Sequence, residues 1–166
     1  MKKFLTALTI LMAQNCFAQT EIEKREPFTL RLPVDGVNYY EQQVAGTPYF
    51  VKEKTLQIYP GEKLFIEVEI KKDTIFSMRV VKEKLSPEKT IEIDFSQSVK
   101  ENKSEMMMLK VTNPFGKVLE YKAIMYIVGQ DNWINTTISP VQPKLTGYET
   151  WPDVIITLVL DKWKLK

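Results

Sequence analysis

The chain has 166 residues, 44% of them hydrophobic and 27% charged, with 23 basic and 21 acidic side chains, no histidine and one cysteine. With no imidazole and a single thiol, it lacks the groups for a Ser-His-Asp or Cys-His nucleophile, a thiol redox pair, or a metal centre built on imidazole and thiolate. The near balance of charge gives no electrostatic case for nucleic acid or an anionic lipid surface.

In chain order, residues 1–18 read as a cleavable secretory signal. Lys2 and Lys3 supply the positive start, and Phe4 to Ala13 is an apolar run too short for a permanent membrane span. Cys16-Phe17-Ala18 places cleavage after Ala18. Lipidation of Cys16 is the alternative, but Ala13-Gln14-Asn15 is a poor lipoprotein context. Losing Lys2 and Lys3 leaves 21 charges of each sign in the 148 residues from Gln19 onward. That length supports one domain without disulfide or metal staples. A cysteine-free exported chain fits a bacterial periplasm, or secretion from a bacterium, better than a eukaryotic secretory route. The sequons at Asn102 and Asn135 carry little weight there. Residues 19–27 hold one aliphatic side chain, Ile22, and are expected to be a flexible segment rather than a donor strand.

Residues 28–166 are expected to form one domain made almost wholly of strands. Phe28 to Leu32 alternates. Leu64, Ile66, Val68 and Ile70 share one face, Lys71 to Thr74 makes a polar turn, and Phe76, Met78 and Val80 continue on the next strand, which predicts a hairpin over 63–82. Ile91, Ile93 and Phe95 form another alternating run. Ser98 to Met108 is the best candidate for a short helical or irregular connection. Leu109 and Val111 lead into Asn113-Pro114-Phe115-Gly116, which suits a type I turn. Leu119, Tyr121, Ala123, Met125 and Ile127 share a face, Ile134, Thr136 and Ile138 alternate, and Val154 to Leu160 is apolar enough to be a central strand. Prolines and glycines lie between these runs. The expected fold is all-β, an antiparallel β-sandwich of roughly 8–10 strands. Its strand rhythm resembles that of immunoglobulin-like modules of bacterial envelope proteins.

Candidate chemistry is sparse. Glu67 with Glu69, and Glu92 with Asp94, could serve a carboxylate-dependent, glycan-acting enzyme, although alternating acids also suit a solvated sheet face. Met106 and Met108 would share a strand face and could offer thioethers to copper, although methionine also fills cores. Asp35-Gly36-Val37-Asn38 reads as a turn, and Lys162, Lys164 and Lys166 as a solvated strand end. Trp133, Tyr148 and Trp151 are the candidate binding residues, since large rings with acids and amides nearby can stack on sugars or meet a protein. Alternatively, Trp133 and Trp151 plug the ends of the core. The expectation is a non-catalytic binding or accessory module of the cell envelope. It has no cofactor and no resident metal, and its partner is a protein or a glycan.

Overall fold

The computed structural model describes residues 23–166; residues 1–18, expected to be a signal, and the start of the segment 19–27 lie outside the described residues. Twelve strands account for most of the chain: β1 (Phe28–Pro33), β2 (Tyr39–Val44), β3 (Phe50–Lys52), β4 (Thr55–Ile58), β5 (Lys63–Lys71), β6 (Thr74–Val81), β7 (Thr90–Lys100), β8 (Lys103–Thr112), β9 (Leu119–Ile127), β10 (Ile134–Thr136), β11 (Thr146–Trp151) and β12 (Ile155–Leu165). No α-helix occurs among the described residues, and a single 3₁₀ turn, Pro87–Lys89, precedes β7. The count exceeds expectation partly because β3, three residues long, is too short to show alternation.

Two five-stranded antiparallel sheets form the body. One has the order β10-β9-β12-β4-β3 and is called here the first sheet; the other, the second, has the order β11-β8-β7-β5-β6. Their inner faces interdigitate in one core. Ile91, Ile93 and Phe95 of β7, and Leu119, Tyr121, Ala123, Met125 and Ile127 of β9, all point into it, as their spacing predicts. Sheets that share a core in this way have the arrangement of a β-sandwich. The chain crosses between them at β4–β5, β8–β9, β10–β11 and β11–β12.

Strand β12 is the third of five, as its apolar sequence predicts, and it is apolar because both its faces are covered. Leu158 and Leu160 enter the main core, while Val154 and Ile156 turn to the opposite side. There they meet Leu30, Leu32 and Val44 of the β1–β2 hairpin, which lies as a third layer over one end of the first sheet. The hairpin tip is held across to the second sheet. Gly36 N–H donates to Asn102 O, Ser104 N–H to Val34 O, and Gln97 Nε2 to Pro33 O.

Three expectations need correction. Ser98 to Met108 is neither helical nor irregular. β7 and β8 run through it as a hairpin, turning at Glu101 and Asn102, whose φ of 52° and 59° make the tight reversal that two-residue hairpins require. The polar run there is a solvent-facing strand, not a loop. In β6 the core residues are Ile75 and Met78, and Phe76 is exposed, because the register slips by one residue opposite Glu69 and Ile70. A bulge of this kind moves side chains to the other face. The turn at Lys72 and Asp73 is where the sequence places it, with both residues at positive φ.

Residues 23–27 are tied down, unlike a flexible segment. Lys24 bridges Pro48, and the side chain of Arg25 is 1% exposed. Arg25 Nε donates to Glu62 Oε1 at 2.9 Å, Nη1 to Thr47 Oγ1, and Nη2 to Gln57 O. Its guanidinium lies 4.8 Å from the Tyr49 ring centre and 5.0 Å from that of Tyr59. Arginine's planar fork can meet several acceptors at once, which no lone apolar residue in this segment could replace.

The predicted turn at Asn113 is built from its buried side chain. Asn113 Oδ1 accepts from Phe115 N–H, while Nδ2 donates toward the carbonyls of Lys117, Val141 and Gln142. One amide thus ties the β8–β9 connection to the segment entering β11.

Candidate functional site

The structure separates the three candidate binding residues. Trp151, at the end of β11, is in the core, with its indole N–H donating to Thr136 Oγ1 at 2.9 Å. Trp163 is also core, stacked on Tyr121 at 4.7 Å and donating to Lys54 O. Tyr148 is 59% exposed on the outer face of the second sheet, in a row with Lys110, Asp94 and Lys63. Trp133 is 46% exposed and lies on the outer face of the first sheet. Trp133 and Tyr148 therefore lie on opposite outer faces and form no common patch.

Trp133 has company that alternation in the sequence did not reveal. Its ring is tilted 41° against Tyr126 of β9, centre to centre 5.4 Å. Tyr126 packs in turn with Tyr40 of β2 in the cluster beneath the hairpin. Burial, and then the neighbouring Tyr126 phenol, push the Tyr40 pKa upward. Trp133, Tyr126 and Tyr40 thus make an aromatic shelf where the β1–β2 layer ends and the first sheet is bare. That Tyr40 meets Tyr126 is not legible in the sequence, because Tyr40 arrives from a different layer.

The same sheet face continues into a groove of about 600 Å³ lined by Glu120, Lys122, Asn135, Thr137, Lys162 and Lys164. Lys162 has φ 54° inside β12, where the pairing with β9 slips between Asp161 and Lys164. This bulge adds a lysine at a point where regular alternation would not. Glu120 is neutralised by Lys166 at 2.9 Å, and Asp161 stands opposite Lys122 in the ladder. No ion pair involves Lys122, Lys162 or Lys164 among the described residues, whereas Lys63, Lys84, Lys89 and Lys117 each have a carboxylate partner.

The paired carboxylates lie on the outer face of the second sheet, and Glu67, Glu69 and Glu92 are each held by cations. Lys89 at 2.9 Å, with Arg79 at 3.2 Å, lowers the Glu67 pKa. Lys63 does the same to Glu92, assisted by Lys84, and Lys71 and Ser77 to Glu69. A carboxyl held ionised in this way is poorly suited to donating a proton. Asp35 is held near 2 by the backbone and side-chain N–H groups of Asn38 and the N–H of Val37, an Asx turn at the hairpin tip. Met106 and Met108 do share the outer face, with Ser98 and Ser96 opposite them, while Met107 enters the core. Serine oxygens are hard donors that suit copper(I) poorly. Among the described residues no group of three or more His, Cys, Asp or Glu is arranged to hold a metal, and no helix is long and apolar enough to cross a membrane.

These lowered carboxylate pKa values have a consequence for acid stability. The folded values of Glu67 and Glu92 lie below the ordinary 4.5. The stabilisation they give is therefore present above that pH and is lost as pH falls through the folded values. Thermal melts between pH 7 and pH 3 are expected to steepen their decline below about pH 4.5. Glu67→Gln should flatten part of that decline, and an unaltered pH slope in this variant would remove the Lys89–Glu67–Arg79 cluster as its source.

Comparison with protein families, with curated proteins and with solved structures finds no match to this chain.

Proposed function

We propose that this chain is an exported, non-catalytic binding or accessory module of a bacterial cell envelope, an immunoglobulin-like β-sandwich whose partner is a protein or a glycan. The observation that carries the reading is Trp133, a large rigid ring left half exposed and braced by Tyr126 on an otherwise well-packed protein. Exposed aromatics with a firm backing lose little freedom when they bind, which favours recognition. The signal-like residues 1–18 and the absence of cysteine from the remainder support export. The strand rhythm and repeated sheet crossings support the immunoglobulin-like assignment.

Intrinsic fluorescence tests the binding face. Two of the three tryptophans, Trp151 and Trp163, are buried and should emit blue and resist iodide. Trp133 should supply a red, quenchable component that disappears in Trp133→Phe. A ligand of this face should protect that component. A panel of envelope glycans and candidate partner proteins that leaves Trp133 fully quenchable would remove the shelf as a binding site.

A further inference from the structure

We infer that the outer face of the first sheet binds an acidic glycan, stacking one sugar ring on Trp133 and placing the acid groups of following units among Lys122, Lys162 and Lys164. The inference rests on the reading of Trp133 as a contact residue and adds the chemistry of what it contacts.

Three observations converge. Trp133, Asn135 and Thr137 alternate onto one face along β10 and its flanks, so the aromatic shelf and the lysine groove are two parts of a single surface. At the usual rise of an extended chain, Trp133 and Thr137 are about 13 Å apart, a span suited to a short oligosaccharide rather than to one small ion. The groove mixes polar and apolar lining, with Ala123, Ile138 and Pro140 beside Asn135 and Thr137. Asn135 and Thr137 offer amide and hydroxyl groups, and the partly covered Ile124 is the aliphatic side chain of β9 that faces them. A protein partner would call for an apolar centre with a polar rim. Here the ring lies at one end, and charged, amide and hydroxyl groups alternate with small apolar ones along the groove, with no apolar centre. Finally, its charge is net positive. Lys122, Lys162 and Lys164 make no ion pair among the described residues, while Lys166 is matched to Glu120 and Asp161 is the other acid of this face. Lysine ammoniums at a groove attract anions as point charges, without regard to whether the acid is a carboxylate or a phosphate.

The test is a titration of the protein with an oligogalacturonate, its methyl ester, a phosphorylated oligosaccharide and a poly-glutamate peptide of matched charge, followed by Trp133 protection and by calorimetry. Binding is expected for the oligogalacturonate or the phosphorylated sugar, with the tighter of the two identifying the acid. The methyl ester should bind at least about tenfold more weakly, and affinity should fall with added salt. The triple variant Lys122→Gln, Lys162→Asn, Lys164→Gln should lose a similar factor while its thermal melt stays near that of the parent; asparagine tolerates the positive φ at position 162. Equal affinity for the ester, or for the triple variant, would overturn the acidic assignment while leaving Trp133 as a contact residue. Tighter binding of poly-glutamate than of any sugar would overturn the glycan in favour of an acidic protein. Loss of Trp133 protection by every ligand would instead bring down the reading on which the inference rests.

Discussion

Replacing Arg25 by methionine is expected to destabilise the fold by about 3–5 kcal/mol, the usual cost of stranding one member of a buried ion pair. The side chains of Arg25 and Glu62 are 1% and 11% exposed. Glu62 is fixed from its other side as well, since Oε2 accepts the Tyr59 N–H. Without the guanidinium, Glu62 would keep a charge with little water to solvate it, and the carbonyl of Gln57 would lose its donor. The two flanking tyrosine rings would lose a cation that each now approaches within 5.0 Å or less. Urea unfolding of Arg25→Met, Glu62→Met and the double variant would check this. The double variant is expected to be more stable than Arg25→Met alone, because no lone charge is left behind. A loss below about 1 kcal/mol in Arg25→Met would mean the pair behaves as an exposed one. Residues 23–27 would then be dispensable to the fold.

Phe95→Ala should cost a similar amount, about 3–5 kcal/mol, through lost burial and the cavity left behind. Phe95 has no exposed surface and stands on β7, in the middle of the second sheet, facing the first. Neighbours on two hydrogen-bonded sheets cannot collapse far into the space, so the cavity should persist. The matched control is Phe76→Ala. Simple alternation assigns Phe76 to the core, but the β6 bulge leaves it 57% exposed beside Lys71. That substitution is expected to change stability by no more than about 0.5 kcal/mol. Chemical denaturation of both variants therefore tests the bulge as well as the core. Comparable losses at the two positions would mean that β6 lies in the register without the slip.

How far the sequence carried this fold depends on how far each contact reaches. Strand identity was legible where one face of a strand was buried over many residues. Ile91-Ile93-Phe95 and the β9 series Leu119 to Ile127 alternate, and they enter the core as read. Turns with local chemistry were legible too, because Lys72-Asp73 and Asn113-Pro114 settle their own backbone over a few residues. The strand over Ser98 to Met108 was missed because polar groups occupy much of both its faces near the turn, which leaves no alternation to see.

The candidate site was only partly legible, for the same reason. Sequence could nominate Trp133, Tyr148 and Trp151 as rings near turns. It could not say that Trp151 finds a hydroxyl in the core, that Tyr148 faces away on the second sheet, or that Trp133 leans on Tyr126. Nor could it gather Lys122 with Lys162 and Lys164, forty residues apart in the chain and neighbours only through the β9–β12 ladder and its bulge. By itself the sequence determined the all-β class, the core-facing residues of the long strands and the absence of histidine chemistry. These follow from side-chain types and short-range periodicity. The third layer, the burial of Arg25, and the joining of an aromatic shelf to a lysine groove were decided by tertiary structure alone. Each depends on which strand pairs with which, and on bulges that move a side chain from one face to the other, and both are settled by long-range packing.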